Sequence, residues 1–240
     1  AKAAGDTSQE TGTTVSAGVG IGVGVINSSN QAYIENATIK AGGLNVSAKT
    51  GGQELTVSTT ENGQTKEVKK PYDNASNVSS ASGFNSGKFG IGGAISVNVV
   101  NDVTRAYINN ATIIIGRNGN ITISAESKSD AGTEAGSDDS LEEWAKSTGV
   151  GSAIAVSVVN HETSAELGSG AAVSGENGAS IGNVTIIADA KGTIEVSAIA
   201  GAAGGKAVVP VVSVNIVNTV TKAKAAAHND ASKNMIALTG

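Results

Sequence analysis

The sequence predicts an all-β protein: a parallel β-solenoid (β-helix) built from four degenerate repeats, with two loop insertions. Three observations carry that expectation. One motif returns four times, as "GVGVINSSNQAYIENATI" at 22–39, "ISVNVVNDVTRAYINNATI" at 95–113, "IAVSVVNHETSAEL" at 154–167 and "VSVNIVNTVTKAKA" at 212–225. Within each copy, bulky and small residues alternate strictly. The composition suits strands and turns: 32 glycines, two prolines, abundant Ala, Ser, Thr and Asn, and only 2% aromatic residues. A core without rings must be built from stacked Val, Ile and Ala. The 240 residues are expected to form one elongated segment of a larger protein, with repeats at about 15–50, 89–127, 149–200 and 207–240.

The first copy opens with Val15, Ala17, Val19, Ile21, Val23 and Val25 alternating with Ser16 and four glycines. The second keeps the phase in Ile91, Ile95, Val97 and Val99, the third in Ile154, Val156 and Val158, and the fourth in Val212, Val214 and Ile216. Such alternation is a strand with one bulky and one small face. The bulky face is expected to point into the core, and the small face to meet solvent or lie under a close neighbouring layer. The alternation then breaks identically in each copy: two apolar residues are followed by Asn27, Asn101, Asn160 or Asn218. These four asparagines are expected at structural corners, because Asn tolerates a left-handed backbone, and stacked corners would let their side chains bond in a ladder. Asparagines ending four unrelated turns are the plainer alternative. Short strands follow, around Ala-Tyr-Ile, Ala-Thr-Ile, Leu44 to Ala48 and Ile121 to Ala125, with no helical crossover. At about 20 to 30 residues per coil, each copy would supply two to three coils.

Two segments depart from the pattern and are expected to be insertions: 51–88, polar and mixed in charge, and 129–147, acidic with a short helix from Ser140 to Lys146. Insertions in repeat proteins map to loops that often bind, which makes Tyr72 and Trp144 candidate binding residues. Asp138, Asp139, Glu142 and Glu143 are candidate calcium ligands, since that ion takes several carboxylate oxygens, but their spacing matches no defined loop. A solvated acidic loop explains them more simply.

Catalytic chemistry finds little support. His161 and His228 lie near no nucleophile motif, and the glycine runs at 18–24 and 90–93 sit inside strands instead of preceding a helix, so no phosphate cradle is expected. A net charge of -5 with 16 Lys and Arg argues against nucleic acid as a partner. No signal peptide opens the chain, and the longest apolar run, 207–217, is too short to span a bilayer, so no membrane insertion of this segment is expected. The absence of cysteine fits a bacterial protein that crosses membranes unfolded. Eight Asn-x-Ser/Thr sequons occur, many of them expected by chance in so Asn-rich a chain; where the source adds sugars to its surface proteins, the exposed ones would be acceptors. A β-helix enzyme that degrades polysaccharide is the strongest catalytic alternative; it would need clustered acids and bases, whereas Arg105 and Arg117 are scattered.

The recurring "VNVVNxxTxAYIxNATI … NVTxSA" text resembles the repeat regions of giant bacterial filamentous adhesins, of the filamentous-haemagglutinin and leukotoxin type. The resemblance covers most of the chain outside the insertions, although copies three and four lack the Tyr-Ile and Asn-Ala-Thr elements. It implies a secreted β-solenoid displayed on the bacterial cell surface, with no catalytic residues and no cofactor. The expected function is that of a rigid, non-enzymatic adhesin rod next to further repeats of its parent chain, carrying surfaces for a host cell or extracellular-matrix protein. A pure stalk without a ligand is the remaining alternative.

Overall fold

A computed structural model describes residues 2–4, 15–51, 53–61, 64–72, 78–82, 89–136, 148–200 and 206–225. The first part of the chain carries β1 (Lys2–Ala4), β2 (Val15–Glu35), β3 (Thr38–Ala41), β4 (Leu44–Thr50), β5 (Gln53–Glu61), β6 (Gln64–Tyr72) and β7 (Val78–Ser82). The middle carries β8 (Phe89–Asn109), β9 (Thr112–Ile115), β10 (Ile121–Lys128) and β11 (Ala131–Gly136). The last part carries β12 (Thr148–Leu167), β13 (Ala172–Gly175), β14 (Val184–Lys191), β15 (Ile194–Ile199), β16 (Lys206–Val208) and β17 (Val211–Ala225). Apart from a 3-10 turn at Glu176–Gly178, the regular structure among the described residues is all strand.

Four sheets are parallel and contain equivalent strands of successive copies: β2, β8, β12 and β17 with β16; β3, β9 and β13; β4, β10 and β14; and β7, β11 and β15 with β1. Their register aligns like with like. Asn27 pairs with Asn101, Asn101 with Asn160 and Asn160 with Asn218, and the alanines at 32, 106, 165 and 223 align in the same way. Equivalent strands of the aligned motifs therefore lie side by side in the parallel sheets, and the long-strand sheet takes both β16 and β17 against β12. β8 runs for 21 residues, straight through the position where a corner was expected.

The insertions are also narrower than expected. Within 51–88, β5 and β6 form an antiparallel hairpin, but β7 belongs to a parallel sheet. Within 129–147, β11 pairs with both β7 and β15, and Ala131, Thr133 and Ala135 are buried.

The largest difference from expectation is the orientation of the long strands. Gly20, Gly22 and Gly24 are buried, whereas Val19, Ile21 and Val23 are each 57% exposed. In β8 and β12 the inward residues are Ala94, Ser96, Asn98, Ala153, Ala155 and Ser157. The small face is the inner one because the space beneath it is thin. Ala94, Ala153 and Ala155 pack against Ala135, Val196 and Ala198 of the facing sheet, and β-branched side chains from both sides would hold the sheets apart. Towards the other end of the long strands the interior widens and is filled by Ile108, Ile113, Ile115, Ile121 and Ile123, all fully buried.

The four repeated asparagines lie within uninterrupted strands and not at corners; Val100 and Val159 face inward simply because the alternation of the backbone continues through them. What changes there is which face is apolar. The expected ladder nevertheless forms on the outer face: Asn101 Nδ2 donates to Asn27 Oδ1 at 2.7 Å, and Asn160 Nδ2 to Asn101 Oδ1 at 2.8 Å. The left-handed bends come nine residues later, at Asn36 (φ 53°) and Asn110 (φ 45°), with Asn110 Nδ2 donating to Asn36 Oδ1 at 2.5 Å. In the next layer Gly170 (φ 73°) packs on Asn110. Asn110→Val is therefore expected to lower stability by about 2 kcal/mol, since a β-branched residue is strained in this region, and Asn110→Gly by under about 1 kcal/mol. Urea denaturation of both variants checks the difference.

Candidate binding face of the long-strand sheet

The outer face of the long-strand sheet has two halves, divided by the asparagine ladder. Before the ladder, the outward positions form rows of Val and Ile that run across the strands, such as Val23, Val97, Val156 and Val214. Ile91 and Ile154 in the two central strands are 41% and 37% exposed, and Ile216 in β17 is 53% exposed. After the ladder the same face becomes polar. Tyr33 and Tyr107 stack with ring centroids 5.3 Å apart and planes 9° from parallel. Arg105 Nη2 donates to Glu162 Oε2 at 2.7 Å, and Lys224 lies 3.4 Å from Glu166. These charged residues, with Tyr107, Ser164 and Lys222, line an open cleft of about 470 Å³. A flat apolar half beside a polar half with a cleft is a surface suited to contact with another molecule.

A second cluster lies inside the protein, where continued alternation carries polar residues inward. Asp102 and Thr104 of β8, Ser127 of β10, and His161 and Thr163 of β12 are all buried. Ser127 Oγ donates to Asp102 Oδ2 at 2.9 Å, and His161 Nε2 lies 2.6 Å from the same Oγ and 3.4 Å from Asp102 Oδ2. Serine, histidine and aspartate together invite comparison with a hydrolytic triad, but the geometry is wrong. One ring nitrogen meets both partners, whereas a triad uses one for each. Because Ser127 gives its proton to Asp102, the short contact requires His161 Nε2 to donate, so the imidazole cannot act as base towards Ser127. The cluster is a polar bridge between the long-strand sheet and β10, extended by Thr50 Oγ1, which lies 2.7 Å from Thr104 Oγ1 and accepts from Asn30 Nδ2 at 2.9 Å.

Burial pushes the His161 imidazole below its ordinary pKa of 6.5, and the Asp102 carboxylate pulls it partly back up. The folded protein therefore holds fewer protons at this site than the unfolded chain does as pH falls below 6.5. The neutral-imidazole contribution to stability is full above the unfolded value and is lost progressively as pH falls towards the lower folded value. His161→Gln is expected to flatten that part of the stability profile, which urea titrations of both proteins at stepped pH would measure.

Of the residues singled out in the sequence, Asn27, Asn101 and Asn160 are brought together on the outer face, with Asn218 in register beside them. Tyr72 ends β6. Trp144, Asp138, Asp139, Glu142, Glu143 and His228 lie outside the described residues. Among the described residues no group of three or more His, Cys, Asp or Glu side chains could hold a metal ion, and no helix is long and apolar enough to cross a membrane. The sequence reading missed the Asp102–Ser127–His161 cluster and the outward aliphatic rows. The signal for the first was available: Asp102 and Thr104 keep phase with Val100, Ala106 and Ile108. No family model, curated protein or solved structure matches the chain.

Proposed function

We propose that the chain is a non-enzymatic segment of a bacterial surface adhesin, a rigid β-solenoid rod whose parallel sheets are the sides of successive coils, and that it carries host-binding surfaces. The observation that supports this reading most is the in-register pairing of β8 with β12 along all 20 residues of β12, over the text that resembles the adhesin repeats. A rod gains stiffness when each layer repeats the hydrogen-bonding pattern of the one below. Side-chain contacts between layers add to it: Lys49 lies 2.8 Å from Glu126, its register partner, and Ser124 donates to Ser47 at 2.9 Å. On this reading the secreted segment stands on the bacterial surface between further repeats of its parent chain, and its partner is a host-cell or extracellular-matrix protein.

The test is binding of the folded recombinant chain to host cells and purified matrix proteins. Variants should lack residues 53–72, which removes the hairpin and spares β7, or residues 137–147. Binding abolished by either deletion assigns adhesion to that insertion. Binding retained by both assigns it to the body of the rod, and no binding by the intact, circular-dichroism-positive chain rejects the adhesive role and leaves a stalk.

A further inference from the structure

The aliphatic half of the long-strand sheet is exposed, flat and repetitive. From the row of Val19 to the row of Val25, the outward residues of β2, β8, β12 and β17 carry no charge. Four strands about 4.8 Å apart, over the seven residues from 19 to 25 at about 3.3 Å each, give an apolar face of about 440 Å². Monomeric proteins seldom leave a patch of this size uncovered unless it binds something.

We propose that this face is the contact between two copies of the chain, packed sheet against sheet. Its rows are ridges of Val and Ile separated by grooves, and a copy of the same surface fits them because ridge and groove have the same period; two such sheets interdigitate at about 10 Å. Two faces together bury about 900 Å², the size of a weak, reversible interface, and the apolar character suits contacts between identical subunits.

Charge in the polar half of the sheet fixes the arrangement. Beyond the asparagine ladder, the outward charges alternate in sign from layer to layer: Glu35 on β2, Arg105 on β8, Glu162 and Glu166 on β12, Lys222 and Lys224 on β17. A two-fold axis along the strands, passing between β8 and β12, lays aliphatic half on aliphatic half and reverses the order of layers. β2 then faces β17 of the second copy and β8 faces its β12, so acid meets base in every layer. Any arrangement that sets a layer on its own equivalent puts lysine on lysine and glutamate on glutamate. The complementarity is with this chain itself, which is why the occupant is a second copy and not an unrelated apolar ligand. The pairing does not depend on the adhesin reading.

The test is sedimentation equilibrium of the whole chain across the micromolar range. The intact chain is expected to dimerise, and the outward-facing double substitution Val97→Glu with Val156→Glu to weaken association by about a hundred-fold or more while leaving the circular dichroism spectrum unchanged. Should that pair perturb the fold, Val97→Ser with Val156→Ser is expected to weaken association by about ten-fold. Ser47→Glu, a charge on the exposed outer side of β4, should leave it unaltered. An intact chain that stays monomeric, or a dimer indifferent to folded variants at 97 and 156, overturns the proposal. Monomeric chain that co-sediments with phosphatidylcholine vesicles overturns it in favour of a lipid surface. Host-cell binding is a separate readout, so either idea can fail alone.

Discussion

Ala155→Leu is expected to destabilise the protein by about 3 kcal/mol, and Val156→Ser, one residue further along the same strand, by under about 1 kcal/mol. Ala155 is fully buried against Ala135 and Ala198, where the facing sheet leaves no room for three more carbon atoms. Val156 points outward and is only half-buried by its neighbours in the sheet. The opposite orientation reverses both effects: Leu at 155 would reach solvent harmlessly, and Ser at 156 would leave a cavity and a buried hydroxyl. Urea midpoints, taken at protein concentrations low enough to suppress association, separate the two.

Ile123→Ala should lower stability by about 2–5 kcal/mol, the range for removing a large aliphatic side chain from a close-packed core. Ile123 is fully buried in the same apolar cluster as Ile113 and Ile121, and three lost carbons there leave a gap that rigid strands cannot close. Ile187 of β14, 46% exposed, is the comparison: Ile187→Ala should fall by under about 1 kcal/mol. Similar losses at the two positions would show that the wide end is not the principal apolar core.

The strands and their equivalences were legible in the sequence because both follow from local pattern. Alternation marked the first halves of the long strands, and alignment on Asn27, Asn101, Asn160 and Asn218 gave the register found in the structure. Orientation was not legible. Alternation says that two faces differ and leaves open which is inside; that depends on the thickness of the interior, set by β7, β11 and β15, which come from other parts of the chain. The usual inference, bulky side inward, fails where two sheets lie too close for Val and Ile. The corner was misplaced for a related reason. Val99-Val100-Asn101 has the composition of a bend, but the pair of valines marks the point where the apolar face changes sides, and the true bends at Asn36 and Asn110 sit in less conspicuous text. The inner Ser127–Asp102–His161 bridge joins three strands and could be assembled only once the pairing was known.

Because the chain has no cysteine, orientation can be read directly by thiol accessibility along β12. Single cysteines at Ala155, Val156, Ser157, Val158, Val159 and Asn160 are introduced one at a time, and the rate of modification by a small maleimide is measured in the folded protein at concentrations low enough to suppress association. Fast labelling at 156, 158 and 160 with protection at 155, 157 and 159 is the predicted result. Protection at 156 and 158 with labelling at 155 and 157 would place the valines inside and contradict the account.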